Sequence, residues 1–213
     1  MRKYKISEIV VKRLPLYLRC LTYLDKMGVP TISSHELGHK LGIKPSQIRK
    51  DLAYFGEFGK QGIGYDVSYL RGEIRHILGL TEHIKVAVVG AGKLGQALSD
   101  YILLKREDFD IAAVFDRDPA KIGMEVGGVK VSPIENLKEI IQEKEIQMAI
   151  VTVPANAAQK VVNLLVDAGV RGILSFAPIA VTVPEGVRFY NVDFTMELQS
   201  LAYYLTGQGK NEY

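Results

Sequence analysis

Apolar residues recur at helical spacing from the start of the chain. Ile9, Val10, Leu14, Leu18, Leu21 and Leu24 form a broad stripe that predicts a helix over 7–26, with Pro15 tolerated inside it. Gly28 and Pro30 stop that helix. Ser33-Ser34-His35-Glu36 supplies a capping box for a second, short helix carrying Leu37 and Leu41, and Gly42 makes the turn after it. A third helix starts at Pro45, a favoured first helical residue, with Ile48, Leu52 and Phe55 on its buried side. Residues 56–65 set aromatic and apolar side chains around a glycine-rich basic tip and predict a β-hairpin, and 71–78 read as a further short helical segment.

Beyond it the pattern changes to short apolar runs alternating with helical stretches. Strands are expected at 85–89, 111–115, 129–131, 148–153 and 172–175, with helices after Gly92, Ser132 and Ala155. Ser132-Pro133-Ile134-Glu135 joins a capping serine to a proline at the first helical position. Such alternation predicts an α/β unit with a mainly parallel, doubly wound sheet and a ligand at the carboxyl ends of its strands. After the last strand, Phe194, Leu198, Leu201, Ala202 and Leu205 form an apolar stripe on a final helix. That stripe must be buried, either on its own sheet or on another surface.

The strongest chemical signal lies behind the first of these strands. Gly90, Ala91, Gly92, Lys93, Leu94 and Gly95 follow the apolar run 84–89, and Phe115-Asp116 closes a second run about twenty residues on, as in a dinucleotide-binding fingerprint. Gly90 allows the tight turn out of the strand, Gly92 lets backbone approach a pyrophosphate, and Gly95 lets the next helix pack closely on the sheet. The phosphates would meet N–H groups at a helix N-terminus. Asp116 can accept from the adenosine ribose hydroxyls and repel a 2′-phosphate, which favours NAD+ and NADH over the phosphorylated forms, while the neighbouring Arg117 could hold a phosphate or stack on adenine. Val153-Pro154 and Ala177-Pro178, at two strand ends, are candidates for the nicotinamide side or ordinary strand exits marked by proline.

Charge separates the two parts. Residues 1–80 carry 14 Lys and Arg against 7 Asp and Glu, whereas 81–213 carry 13 against 17. The part without the glycine motif therefore suits a polyanion. A short helix, a glycine turn and a second short helix make helix-turn-helix geometry, and Ser46, Gln47, Arg49 and Lys50 fall near the N-terminal end of the third helix, off its apolar stripe. There they would face base edges and phosphates of double-stranded DNA. Lys60 and Gln61 at the hairpin tip would reach the adjacent minor groove as a wing. A small bundle serving only for dimerisation or for capping the nucleotide domain is the alternative.

An enzyme is the rival reading. Hydride transfer needs a positioned acid or base, yet His35, His39, His76 and His83 all precede the expected nucleotide fold and none follows. Tyr101 and Lys105 have the Tyr-x-x-x-Lys spacing of short-chain dehydrogenases but lie on the first helix after that loop, where the pair has no such role. No Cys and His cluster suggests a metal, and Cys20, the one cysteine, sits among leucines. No run approaches the roughly 18 apolar residues of a membrane span, and the basic N-terminus lacks a signal-like core, so a cytoplasmic protein without a membrane partner is expected.

Taken together the blocks Gln47-Ile48-Arg49-Lys50-Asp51-Leu52, Gly62-Ile63-Gly64-Tyr65, Arg75-His76-Ile77-Leu78-Gly79-Leu80, the glycine loop, Asn156-Ala157-Ala158-Gln159, residues 172–178 and Asn191-Val192-Asp193-Phe194 make a resemblance over nearly the whole chain. The sequence resembles the Rex family of bacterial redox-sensing transcriptional repressors. The resemblance implies a winged-helix DNA-binding domain over 1–80, a Rossmann NAD(H)-binding domain over 81–192 and a C-terminal dimerisation helix over 193–213. It also implies a homodimer on an inverted-repeat operator, released when NADH rises relative to NAD+. In such proteins the last helix, 194–206 here, crosses to the partner subunit. Phe194 would then lie at the nicotinamide, and Asp193 would pair with Arg19 in one state and Tyr101 in the other. The alternatives are an NAD-dependent oxidoreductase with an appended DNA-binding domain and a structural nucleotide-bound dimer.

Overall fold

The computed structural model describes residues 6–105 and 108–205, apart from the Lys105 side chain. They fall into two compact units, one up to Glu82 and one from His83 onward.

The first unit is built on α1 (Glu8–Lys26), which starts where the Ser7 hydroxyl accepts the Ile9 N–H. Val10, Leu14, Tyr17, Leu18, Leu21 and Leu24 are buried, but Ile9 is 63% exposed. Positions 10, 14, 17, 21 and 24 step by four and three along one line of the helix, and Ile9 falls beside that line. Strand β1 (Thr31–Ile32) precedes α2 (Ser34–Leu41), whose capping box is complete: the Ser33 hydroxyl accepts from the Glu36 N–H, and the Glu36 carboxylate accepts from the Ser33 N–H. After Gly42 comes α3 (Pro45–Ala53), which buries Ile48 and Leu52 and ends before Phe55. The hairpin of β2 (Gly59–Lys60) and β3 (Gly64–Asp66) joins β1 in an antiparallel sheet of order β1-β3-β2. Then α4 (Val67–Ile77) packs on α1; it starts four residues earlier than its apolar pattern suggests, because the Asp66 carboxylate accepts the Tyr69 N–H and sets the cap there. A helix-turn-helix with a hairpin wing is the result.

The second unit runs β4 (Ile84–Val89), α5 (Lys93–Lys105), β5 (Phe109–Asp116), β6 (Glu125–Val126), β7 (Val129–Pro133), α6 (Leu137–Glu143), β8 (Met148–Val151), α7 (Ala155–Ala168), β9 (Gly172–Ser175), β10 (Arg188–Asn191) and α8 (Phe194–Leu205). The sheet order is β10-β9-β8-β4-β5-β7-β6, parallel throughout except for the β6–β7 pair. One face is covered by α6 and α7 through Leu137, Ile141, Val162 and Leu165, the other by Leu98 and Ile102 of α5. Burial on both faces explains why the central strands read as unbroken apolar runs.

One expectation fails here. Ser132 does not cap a helix: β7 continues through Pro133, which pairs with Asp116 of β5, a single 3-10 turn follows over Ile134–Asn136, and α6 starts at Leu137. Extension of the parallel ladder outweighs the local cap signature, and a proline at the strand's last position lacks only one N–H. Of the two placements open to the final helix, packing on its own sheet is not the one taken. No described residue of α8 is buried, and Phe194, Met196, Leu198, Leu201, Tyr204 and Leu205 are exposed. Residue 206, the expected end of this helix, lies outside the described residues.

Candidate functional site

The chain leaves β4 toward β5 on one side and returns to β8 on the other, so a crevice opens at the carboxyl ends of β4 and β8. A cleft of about 1270 Å³ occupies it, lined by Gly90 and Gly92, by Asp116, Arg117, Asp118 and Lys121, by Thr152, Val153 and Pro154, and by Lys138 and Lys160 among others. Two of the three loop glycines answer to a contact. Gly90 has φ +107°, and a Cβ there would meet the Thr152 carbonyl oxygen and Oγ1 at 2.8 Å. A Cβ on Gly95 would overlap the Gly90 carbonyl oxygen, so the first turn of α5 can sit against the loop only without a side chain. At Gly92 a Cβ would find nothing within 4 Å, since that residue faces the open cleft. Thr152 donates its hydroxyl to the Gly90 carbonyl at 2.8 Å, and the Gln96 amide donates to the Ala91 carbonyl at 2.9 Å. The loop is therefore held from both sides, with the α5 N-terminus beside it, and these residues fit a pyrophosphate.

Asp116 is 8% exposed and does more than line the cleft. Its Oδ2 accepts the Ala91 N–H at 2.7 Å and the Lys121 ammonium at 3.1 Å, while Oδ1 accepts the Asp118 N–H at 2.9 Å. Burial pushes its pKa up, but these N–H groups and Lys121 bring it below the ordinary value, so it is a carboxylate. With about four acceptor sites on a carboxylate, three are occupied by the protein. Asp116 thus pins the glycine loop, and Lys121 partly offsets the charge that would repel a 2′-phosphate. Sequence reasoning singled out Asp116 but neither Asp118 nor Lys121, nor the bond to the Ala91 N–H.

The other predicted positions divide. Val153, Pro154 and the exposed Arg117 line the cleft together with Gly90 and Gly92. Ala177 is buried, its N–H donating to Ser175 Oγ, and neither it nor Pro178 reaches the lining. Lys93, Leu94 and Phe194 are also absent from it. Tyr101 is exposed on α5, and Asp193 accepts the Thr195 N–H at 2.9 Å at the start of α8. His83 does not precede the nucleotide fold as expected but belongs to the second unit, where it pairs with Asp110 at 3.0 Å next to the amino ends of β4 and β5. That edge is opposite the crevice.

In the first unit the N-terminal part of α3 presents Ser46, Arg49 and Lys50 to solvent, and Gln47 is half-buried beside them. The Arg49 guanidinium donates to Ser34 Oγ at 2.8 Å, which ties this face to the start of α2. Lys60 and Gln61 are exposed at the hairpin tip, and Arg19 is exposed on α1. Sequence reasoning missed the group under this face. Asp51 is fully buried and accepts from Arg13 of α1 at 2.5 and 2.7 Å, from the Tyr17 hydroxyl at 2.6 Å and from Gln47 Nε2 at 2.8 Å.

Comparison with known proteins bears on both units. Residues 5–53 match a family described as putative DNA-binding protein N-terminus, and residues 81–179 match one described as CoA binding domain. Over 95% of this chain and 98% of the relative, it is 54% identical to the redox-sensing transcriptional repressor Rex of Brevibacillus brevis. It is 45% identical to that of Streptomyces coelicolor over 95% of this chain and 79% of the relative. The crystal structure of RSP in complex with β-NAD+ and operator DNA superposes with a TM-score of 0.91 at 37% identity, covering 96% of this chain and 94% of the other. RSP with β-NADH superposes at 0.86 and 35% identity, covering 96% of each chain. On this identity and coverage, the chain belongs to the Rex family of redox-sensing transcriptional repressors.

Proposed function

We propose that this protein binds a double-stranded, inverted-repeat operator as a homodimer in the cytoplasm, leaves it when NADH rises relative to NAD+, and turns over neither nucleotide. One observation carries the reading: a single chain holds a winged helix with a basic, solvent-facing α3 and a glycine-loop cleft whose carboxylate suits an adenosine ribose. The relatives crystallised with β-NAD+ and operator DNA, and with β-NADH, support the pairing of the two ligands. Bound NADH or NAD+ supplies the redox signal. The protein's own task is to hold the two forms with different affinity in its DNA-competent and DNA-incompetent states. Against catalysis stands the position of His83, at the edge of the sheet away from the crevice. No cluster of His, Cys, Asp and Glu among the described residues suits a metal, and no helix among them is long and apolar enough to cross a membrane.

In this reading Gly90 to Gly95 hold the pyrophosphate, Asp116 and Arg117 the adenosine end, and Val153, Pro154, Ala177 and Pro178 border the nicotinamide, which Phe194 senses. Asp193 exchanges Arg19 for Tyr101 as the state changes. The exposed apolar face of α8 supports its burial against a second copy.

Two substitution experiments test the binding assignments. Asp116→Ala removes a ribose acceptor and the pin on the Ala91 N–H together, so NADH binding should weaken about tenfold or more. Discrimination against NADPH should shrink as well, because Lys121 and Arg117 then face the ribose without a carboxylate. Titration of both nucleotides measures this; unchanged affinities would remove Asp116 from the site. On the DNA side, Arg49→Ala or Lys50→Ala should relax base preference by about 1 to 3 kcal/mol at the contacted position. Lys60→Ala should instead lower affinity evenly across sequences and reduce the salt slope by about one charge. A wild-type salt slope in Lys60→Ala would contradict the wing contact.

A further inference from the structure

We propose that Asp51, anchored by Arg13 and Tyr17 of α1, is a positioning residue for base recognition: it fixes the Gln47 carboxamide in one orientation at the reading face of α3. The inference rests on the DNA-binding reading above. Asp51 lies on the inner side of α3, one turn after Gln47, and is 0% exposed. Arg13 grips it with Nε on Oδ2 and Nη2 on Oδ1, the Tyr17 hydroxyl donates to Oδ2, and Gln47 Nε2 donates to Oδ1. Four donors meet the roughly four acceptor sites of one carboxylate, so the group is saturated. Burial raises its pKa, but the hydrogen bonds from Arg13, Tyr17 and Gln47 outweigh that and hold the carboxyl below its ordinary range.

The ionised state determines the chemistry. A carboxylate only accepts, so Gln47 must turn its NH2 group toward Asp51; the flipped amide would set Oε1 against Oδ1, two acceptors without a proton between them. One N–H is committed, leaving Oε1 and the second N–H of a held amide for a ligand. Glutamine reads adenine through that pair of functions, Oε1 accepting from N6–H and Nε2 donating to N7. An unheld side chain would sample both amide flips and several rotamers and would lose ordering entropy on binding. Were the cluster only a clamp between α1 and α3, the fourth donor need not come from the reading side of the helix. Here it does, three residues from the solvent-facing Lys50.

The test is a set of operator duplexes in which each base pair of the half-site is changed in turn, bound by the full-length wild type, Gln47→Ala, Asp51→Asn, Tyr17→Phe and the Gln47→Ala/Asp51→Asn double variant. Gln47→Ala should lose about tenfold discrimination at one base pair. Asp51→Asn should lose discrimination at that same base pair, with selectivity elsewhere and the salt slope as in wild type. Adding Asp51→Asn to Gln47→Ala should change nothing further there. If Asp51→Asn does not fold, Tyr17→Phe, which removes one hydroxyl, decides by a smaller loss at the same position. Wild-type discrimination at that base pair in a folded Asp51→Asn, or in Tyr17→Phe when Asp51→Asn does not fold, overturns the proposal, as does a loss spread evenly over all positions. A wild type that cannot tell operator from random DNA would instead overturn the DNA-binding reading itself.

Discussion

Gly95→Ala is expected to weaken NADH binding about a hundredfold or more and to leave an operator-binding protein that no longer responds to NADH. The added Cβ would overlap the Gly90 carbonyl oxygen, and Thr152 Oγ1 lies 2.8 Å from the same point. Both neighbours are fixed: Gly90 by its left-handed φ of +107° and by the Thr152 hydroxyl, and Thr152 by its N–H bond to the Val89 carbonyl at 2.9 Å. The methyl can be accommodated only if α5 lifts away from the loop or the loop opens. Either movement turns backbone N–H groups away from the pyrophosphate, and two lost hydrogen bonds to a charged group amount to about 3 to 6 kcal/mol. The strain is of the order of 1 to 3 kcal/mol, which a domain of ordinary stability survives. Fluorescence titration of NADH gives the first quantity, and an operator titration with and without NADH gives the second. Wild-type NADH affinity would show that the close packing of α5 on the loop does not shape the site.

Deleting residues 194–213 is expected to give a monomer whose operator affinity is lower by about 10²- to 10⁴-fold, the factor lost when two half-site contacts are no longer linked. The reason lies in α8. Phe194, Leu198, Leu201 and Leu205 are 67, 59, 58 and 86% exposed on the single chain. Burying the exposed two thirds of four such side chains contributes roughly 4 to 8 kcal/mol per helix, and both helices of a pair contribute against the cost of association. Sedimentation and operator titration of the truncated protein test both parts. A fully dimeric truncation would place the subunit contact elsewhere. The milder Asp193→Ala should stay dimeric and bind each ligand, with less coupling between them.

The elements that were legible from sequence carry their signals locally. The Ser33/Glu36 capping box, Pro45 at the start of α3 and the glycine loop behind β4 each need only neighbouring residues to act, and each stands where the pattern put it. Long-range pairing was not legible. The two residues of β1 become a strand only because β3, over thirty positions away, offers them a ladder, and β10 at the sheet edge is likewise defined by β9. Asp51 interrupts an apolar face and gives no sign that Arg13 and Tyr17, 38 and 34 residues earlier, will meet it there. At the nucleotide site, the acid after β5 was readable as a ribose ligand. Its bond to the Ala91 N–H was not, because that contact depends on where parallel strands place two loops 25 residues apart. For Ala177 and Pro178 strand position alone leaves both a nicotinamide border and an ordinary strand exit open, and they stand outside the cleft lining of the single chain.

If nucleotide and operator binding are linked, operator affinity depends on which nucleotide the protein holds. The dissociation constant of the operator is determined for the full-length protein saturated with NAD+ and again saturated with NADH. The constant is expected to be about 5 to 150 times larger with NADH, and operator should weaken NADH binding relative to NAD+ binding by the same factor, since such coupling is reciprocal. Equal operator affinity in the presence of either nucleotide would contradict it.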